Sequence, residues 1–322
     1  HLKYIYMKGK NILVFGGSGQ IGRNLIRKLT KNNHRVTVVT RNLHKKGYIL
    51  KTQGNPGYIE VVESNIFDEQ NLSYLVENKD ICINLVGILF EKKNNTFRNI
   101  HINFPSVLSK VCEKNSIEQL IHVSALGIDN AKDSHYANSK LEGEQEIKRN
   151  FKNVTILRPS IVYSVDDNFT TQLMTLISYL PVFPIYYNGK TKFRPIHCSD
   201  LTEIILKIIN EKIYLNTIEC VGPEEMSFKK ILLTLMKLIN KKRILLPFPT
   251  TIAKVTAAFF ELFPHPLLTI DQLNTLKYDN VLSGNFKSNI DIDYNCNLKF
   301  EKEVEKYCYM WKEHGEYSRK KK

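Results

Sequence analysis

No stretch of this 322-residue chain reaches the roughly 18 consecutive apolar residues that a membrane-spanning helix needs. The nearest approach, residues 252–270, is broken by Lys254, Glu261, Pro264, His265 and Pro266, so the chain is expected to lie on a membrane at most. Its six cysteines, Cys82, Cys112, Cys198, Cys220, Cys296 and Cys308, include no C-x-x-C pair and no accompanying histidine cluster. Neither a metal site nor a disulfide framework is expected, and a reducing, cytoplasmic compartment is the default. Residues 1–8 show neither an apolar signal core nor an Arg/Ser-rich amphipathic pattern, and Met7 reads as a natural start after a short extension. The sequence shows no repeat at periods of about 20 to 50 residues, which sets aside solenoids and propellers.

Acid is also scarce. Lys and Arg number 46 against 32 Asp and Glu, a formal charge of +14. Such an excess invites anionic partners: nucleic acid, lipid headgroups or phosphorylated ligands. The bland reading is coding bias, because Asn, Lys and Ile are all abundant and their codons are AT-rich. No nucleic-acid partner is expected, since the cations are scattered, with no aromatic-interleaved stripe and no known binding motif. What remains is a globular composition, 43% hydrophobic, 10% aromatic and 24% charged. That suffices to bury a core over one large or two ordinary domains.

The first half alternates strand and helix patterns. Residues 11–15 form a short apolar run ending in glycines, residues 21–29 have helical spacing, and residues 35–40 are rich in Val and Thr. Further buried strands are expected at 58–63, 81–86, 119–124 and 154–157, with helices at 104–114 and 137–149 between them. The fold class this predicts is α/β: a doubly wound, parallel, Rossmann-like sheet. After Pro159 the pattern loosens into loops and longer helices. Residues 160–322 are expected to form a smaller, mostly helical C-terminal lobe, from which a strand at 217–221 returns to the sheet of residues 1–159.

The first strand runs directly into Gly16, Gly17, Ser18, Gly19, Gln20, Ile21 and Gly22, a G-x-x-G-x-x-G spacing. In such a loop the first glycine permits the turn, the second lets backbone approach a pyrophosphate, and the third lets the helix pack closely. The free N–H groups of the helix start then face the phosphates. Glycine loops also serve ordinary turns; the position between strand and helix selects nucleotide binding. At the end of the second strand, where NAD-binding forms carry a carboxylate, stand Thr40 and Arg41, with Lys45 and Lys46 close behind. Arginine pairs with a 2′-phosphate, so NADP(H) is favoured and NAD(H) is the alternative; the competing reading makes Arg41 a solvated charge in a Lys-rich loop.

Tyr136 and Lys140 form Y-x-x-x-K, which on a helix puts phenol and ammonium on one face. The ammonium is expected to lower the phenol's pKa toward neutrality. Alone the spacing is common, but Ser124, at the tip of the preceding strand, supplies a hydroxyl for the same ligand.

These residues resemble the short-chain dehydrogenase/reductase superfamily in its extended or atypical branch, over nearly the whole chain. By that resemblance Asn65 and Ile66 lie near the adenine, Val86 and Gly87 close the Asn84 to Gly87 turn, and Asn103 joins Tyr136, Lys140 and Ser124 as a catalytic residue. Pro159, in Leu157-Arg158-Pro159-Ser160, marks where the backbone passes the nicotinamide. Arg194 to His197 with Asp200, and Cys220 to Pro223, match the part of extended members that builds the substrate lobe. The strings at 122–127, 136–144, 156–162, 167–169, 271–272 and 279–281 are similar to one group within the superfamily. That group is the nucleotide-binding accessory subunit of respiratory complex I and its bacterial relatives. The resemblance implies tight NADP(H) binding, complex I subunits as partners, and a place in the cytoplasm or peripheral on the inner membrane face, the matrix side in a mitochondrion. The rival it leaves open is an active NAD(P)-dependent oxidoreductase or sugar-nucleotide epimerase/dehydratase. There Tyr136 is acid/base, Lys140 tunes it and holds ribose, and Ser124 holds substrate. Two departures stand out: Phe15 replaces a small residue or threonine before the first glycine, and Ala125 follows Ser124 where many active members carry their hydroxyl slightly later.

In the second lobe, Ile252, Val255, Phe259, Phe260 and Phe263 fall near helical spacing, beside the basic cluster Lys241, Lys242 and Arg243, and the chain closes on a basic run at 319–322. Amphipathic helix plus cations is a recipe for peripheral membrane contact; the alternative is a helix covering the substrate cleft. His197 is expected to be a structural, hydrogen-bonded histidine.

Overall fold

The computed structural model describes residues 9–261, 266, 268–312 and 315; the expectations placed on residues 1–8, on Phe263 and on residues 319–322 lie outside the described residues. An eight-stranded parallel sheet organises them. Its strands in the first half are β1 (Asn11–Phe15), β2 (Arg35–Thr40), β3 (Ile59–Glu63), β4 (Ile81–Asn84), β5 (Gln119–Val123) and β6 (Val154–Pro159). The helices between them are α1 (Gln20–Lys31), α2 (Leu43–Lys51), α3 (Glu69–Val76), α4 (Phe104–Lys114) and α5 (His135–Asn150).

From one edge the order is Lys287–Ser288, Thr217–Cys220, β6, β5, β4, β1, β2, β3, and each neighbouring pair is parallel. The expected returning strand is thus Thr217–Cys220, joined beyond it by a two-residue strand that sequence reading did not anticipate. Strand order reverses between β1 and β4. At such a switch point the loops leaving the two strands diverge to opposite faces, opening a crevice at their carboxyl ends.

Alternation along β1 feeds two cores. Ile12 and Val14 pack with Leu25, Ile26 and Leu29 of α1, while Leu13 and Phe15 pack with Leu108 and Cys112 of α4. Phe15, the departure in the glycine-loop motif, is fully buried with its ring edge-on to Phe104, centroids 5.3 Å apart. A large residue is accommodated there because it fills the β1–α4 layer rather than the ligand side.

Element ends shift for local reasons. Asn84 Oδ1 accepts the Val86 N–H at 3.0 Å, so β4 turns away two residues before the expected end. Ser134 caps α5 by accepting the Ala137 N–H, so that helix begins at His135 rather than 137. His197 caps the helix Cys198–Asn210 through Nδ1, which accepts the Ser199 N–H at 3.2 Å. Asp200 accepts from Tyr294 Oη at 3.1 Å and from the Leu298 N–H at 3.4 Å, tying that helix to the chain's end. A third core, containing Tyr163, Met174, Leu235, Phe300 and Trp311, fills the region after β6. All six cysteines are buried and unpaired, and no described helix is long and apolar enough to cross a membrane.

Candidate nucleotide-binding site

The glycine loop sits in the β1/β4 crevice, and its glycines are required for different reasons. Gly16 has φ of +82°, and a β-carbon there would lie 2.9 Å from the Leu85 carbonyl carbon. A β-carbon on Gly22 would lie 2.4 Å from the Gly17 Cα and 2.5 Å from the Gly16 oxygen, all rigid backbone. Gly19 differs: its N–H donates to Gly16 O at 3.1 Å, and a β-carbon would meet nothing closer than that oxygen at 3.4 Å. Its Cα therefore faces open space. Gly19 is also the N-cap of α1 with no side-chain cap, so the N–H groups of Gln20, Ile21 and Gly22 are left for an anion. The Gln20 side chain turns away, its Nε2 donating to Ser164 Oγ at 2.9 Å, and Ile21 packs against the sheet core. What these two residues offer a ligand is backbone.

At the other end of the crevice, Lys46 Nζ reaches Ser18 Oγ of the glycine loop at 3.2 Å. Arg41, exposed at the tip of β2, spans to Asn95 Oδ1 at 3.3 Å. Lys45 contributes its N–H to the Asn42 cap of α2 and keeps its side chain in solvent. Asn65 is exposed, with Oδ1 accepting the Phe67 N–H at 3.1 Å, and Ile66 beside it is buried.

The third group converges on α5. Lys140 is 5% exposed, and its Nζ has one long hydrogen bond, to Val123 O at 3.4 Å. A β-carbon on Gly87 would sit 3.2 Å from that nitrogen, so glycine leaves the ammonium room. Val86, held by Asn84, precedes it. Ser124 is buried, and its Oγ is one of two buried side-chain polar atoms without a partner among the described residues; Arg194 Nε is the other. Pro159 O accepts the Leu126 N–H at 2.9 Å just beyond.

Sequence reasoning missed His101. It lies on a π-helical turn, Arg98–Asn103, where a β-carbon on Gly143 of α5 would come within 1.8 Å of the His101 carbonyl oxygen. That contact lets the turn press onto α5. The Ile88 N–H donates to His101 Nε2 at 3.1 Å, so the neutral ring carries its proton on Nδ1 and donates to Ser139 Oγ at 2.8 Å. Ser139 in turn donates to Tyr136 O. The His101 and Phe97 rings stack, and both meet the Tyr136 ring edge-on at 5.5 and 5.9 Å. Asn103 is not brought to this cluster: it is exposed and donates to Asn99 Oδ1 at 3.1 Å.

Electrostatics corrects one expectation. Tyr136 does not have a lowered pKa: burial, then the Asp271 carboxylate, push the phenol up to about 12. Lys140 moves instead, since burial pulls it down to about 8 against the opposing pull of Glu144. Burial, with Lys140 and then His122 nearby, depresses His101 to about 2, so it is neutral. Desolvation disfavours the phenolate, and the Asp271 carboxylate adds to it. Asp271 comes from the helix Ile270–Leu276 and accepts from Ser134 Oγ and from the His135 and Tyr136 N–H groups at 2.9, 2.6 and 3.0 Å. Its sequence string was recognisable, but its grip on the start of α5 was not.

Residues 16–181 match the family model described as NAD(P)H-binding. The chain belongs to that family. The chain is 24% identical over 287 residues to the 40 kDa subunit of mitochondrial NADH-ubiquinone oxidoreductase from Neurospora crassa, covering 88% of this chain and 75% of that one. It is 31% identical over 196 residues to subunit 9 of the NADH dehydrogenase (ubiquinone) 1 alpha subcomplex of Dictyostelium discoideum, covering 61% and 54%. The fold matches that of a Bacillus cereus UDP-glucuronic acid 4-epimerase, solved with UDP-glucuronic acid and NAD, at a TM-score of 0.69 and 18% identity, over 92% of this chain and 98% of that one. The complex I group read from the motifs is the one whose subunits these relatives are named as.

The residues present fit a dinucleotide. The uncapped start of α1 suits a pyrophosphate, the partnerless Ser124 hydroxyl suits a ligand oxygen, and the buried Lys140 ammonium lacks the hydrogen bonds it needs without one. Without a ligand, Lys140 is therefore a stability liability. Between its folded value of about 8 and its ordinary 10.5 the unfolded chain holds the proton and the folded chain does not, so this group's contribution to stability rises with pH across that window. We expect Lys140→Met to be more stable than wild type at neutral pH by about 3 kcal/mol in nucleotide-free protein, with the gap closing toward pH 10.5. Urea midpoints across that range check it. A constant gap would show that the ammonium is not the cause.

Proposed function

We propose that the chain holds NADP(H) tightly as an accessory or assembly component of NADH:ubiquinone oxidoreductase (complex I), with little or no turnover of the cofactor. The match to the 40 kDa complex I subunit, over most of both chains, carries this reading. In it residues 1–159 hold the nucleotide, and residues 160–322 face the partner subunits, in the cytoplasm or peripherally on the inner membrane face. A bound nicotinamide supplies hydride chemistry; this chain's own residues do something quieter. The α1 N–H groups take the pyrophosphate, Lys140 and Tyr136 donate to ribose hydroxyls, and the phenol stays protonated throughout the physiological range.

The choice of NADP(H) over NAD(H) rests on Arg41 at the β2 tip together with Lys46 reaching Ser18, two cations flanking a loop hydroxyl. Replacing both Arg41 and Lys46 by alanine is expected to weaken NADPH by about 100-fold and NADH by less than about threefold, since each charge-assisted phosphate contact contributes about 1.5–3 kcal/mol. Fluorescence titration of the reduced nucleotides checks it, and equal losses would refute the assignment.

A second reading, an active oxidoreductase or epimerase, is favoured by Arg194. It brings a buried, partnerless Nε from the second lobe, and its backbone N–H reaches Ser160 Oγ at 3.3 Å, next to Pro159. Mass spectrometry of the nucleotide released on denaturation tests the binding. Co-migration with complex I activity on native gels, retained in Tyr136→Phe, tests the accessory role. A protein that runs alone, and whose carbonyl or sugar-nucleotide turnover that substitution abolishes, is the enzyme instead.

A further inference from the structure

Arg41 does not stand alone at the tip of β2. The connection leaving β4 folds into a tight hairpin in which Lys92 and Asn95 exchange backbone hydrogen bonds, the N–H of each donating to the carbonyl of the other at 3.1 and 3.0 Å. Lys93, the first residue of its turn, sits at φ of +51°, a left-handed conformation that side chains disfavour. A residue other than glycine stays there when its surroundings hold it. The hold comes from the π-helical turn that follows. Asn99 Nδ2 donates to Asn94 O at 3.1 Å, and the Phe97 N–H donates to Glu91 Oε1 at 2.6 Å. The turn itself is pressed onto α5 at Gly143 and fastened by the hydrogen bond from His101 to Ser139, with Phe97 and His101 against the Tyr136 ring. The hairpin is therefore an anchored arm, rooted at the Tyr136 end of the crevice and reaching the Arg41 end.

The arm meets Arg41 through one side chain: Asn95 Oδ1 accepts from Arg41 Nη1 at 3.3 Å. Asn95 is half-buried and Arg41 is exposed, so the anchored partner steadies the loose one. The contact uses Nη1 and leaves the Nε–Nη2 edge without a partner among the described residues. That edge is the one that can meet an oxyanion through two parallel hydrogen bonds. The acceptor, moreover, is an amide oxygen, which orients a guanidinium without cancelling its charge. A carboxylate in the same place would neutralise Arg41 and repel a phosphate. A solvated arginine loses rotamer freedom when it closes on an anion; one already tethered has given up part of that freedom beforehand.

We propose that Asn95 is a positioning residue for dinucleotide choice: it presets Arg41 so that the open edge of the guanidinium meets a 2′-phosphate, and so favours NADP(H) over NAD(H) without touching either. This assignment rests on Arg41 being the 2′-phosphate ligand, and adds what holds the arginine there.

The test is fluorescence titration of the full chain with NADPH and with NADH, for wild type, Arg41→Ala, Asn95→Ala, Asn95→Asp and Arg41→Ala combined with Asn95→Ala. Asn95→Ala is expected to weaken NADPH about fivefold and NADH by less than about 1.5-fold. Asn95→Asp, which keeps the acceptor but adds a negative charge, should weaken NADPH at least about tenfold and again spare NADH. In the Arg41→Ala background the Asn95→Ala change should be silent, because a positioning residue acts only through what it positions. Retained NADH affinity shows that each variant is folded. Equal losses of NADPH and NADH, or additive losses in the double variant, would make Asn95 a structural residue of the hairpin and overturn the proposal. If Arg41→Ala weakens NADPH selectively while both Asn95 variants bind as wild type does, the proposal falls alone. If Arg41→Ala leaves the ratio of NADPH to NADH affinity unchanged, Arg41 as the phosphate ligand falls with it.

Discussion

Gly19→Ala should leave the folded protein as stable as wild type and still cost it at least about tenfold in nucleotide affinity, whereas Gly22→Ala should lose both stability and binding. The contrast follows from what each new methyl would meet. At Gly22 it falls 2.4 Å from Gly17 Cα and 2.5 Å from Gly16 O, which cannot yield without moving α1 off the loop. At Gly19 the nearest atom is 3.4 Å away, and φ of −77° suits alanine. A methyl there occupies only the space on the ligand side, above the uncapped N–H groups of α1. Thermal unfolding of the nucleotide-free protein and titration with NADPH separate the two effects. Unchanged affinity in Gly19→Ala would mean that the pyrophosphate lies elsewhere, and the helix-start site would have to be abandoned.

Much of the architecture was legible because it depends on short-range rules. The apolar run at 11–15, the glycine spacing, and the Val/Thr run at 35–40 map onto β1, the loop and β2 with no change of boundary at either strand. Periods of two and of 3.6 survive whatever packs on them. What escaped depends on contacts distant in sequence. The strand Lys287–Ser288 exists because Ile218 and Glu219 offer it an edge. Asp271 is an ordinary acid in a motif string until it closes the start of α5 from 135 residues away.

The site divides the same way. Gly16, Gly22, Lys140 and Ser124 were placed by spacing, and the structure sets them around one crevice. Asn103 was placed by resemblance; the π-helical turn carries its side chain outward and brings His101 in. The pKa of Tyr136 was misjudged for a physical reason: spacing shows a neighbouring charge but not how much water burial removes. An ammonium close to a phenol lowers its pKa in water; behind Phe97 and His101 desolvation dominates.

Glu144→Ala is expected to cost about 3–5 kcal/mol of stability, the largest single loss we anticipate, without touching the nucleotide directly. Glu144, one turn beyond Lys140 on α5, is 2% exposed, and both its oxygens are taken by Arg158, with Nε to Oε1 at 2.9 Å and Nη2 to Oε2 at 2.7 Å. Arg158 is as buried, on β6, with its guanidinium 4.6 Å above the Phe286 ring and Asp129 as its second anion. Burial works against this guanidinium, but Glu144 and Asp129 together outweigh it and raise its pKa, so it is charged wherever Arg158 is kept. Removing Glu144 leaves that charge with half-exposed Asp129 alone, and removes the clamp between α5 and β6. Glu144→Gln keeps the acceptor geometry on one oxygen and should lose less, about half. Arg158→Met with Glu144→Met, an apolar pair of similar length, should recover most of the stability, because a buried ion pair loses to its own desolvation. Urea unfolding of the four proteins decides it. If Glu144→Ala unfolds at the wild-type midpoint, the network is not what fastens the helix carrying Tyr136 and Lys140 to the sheet.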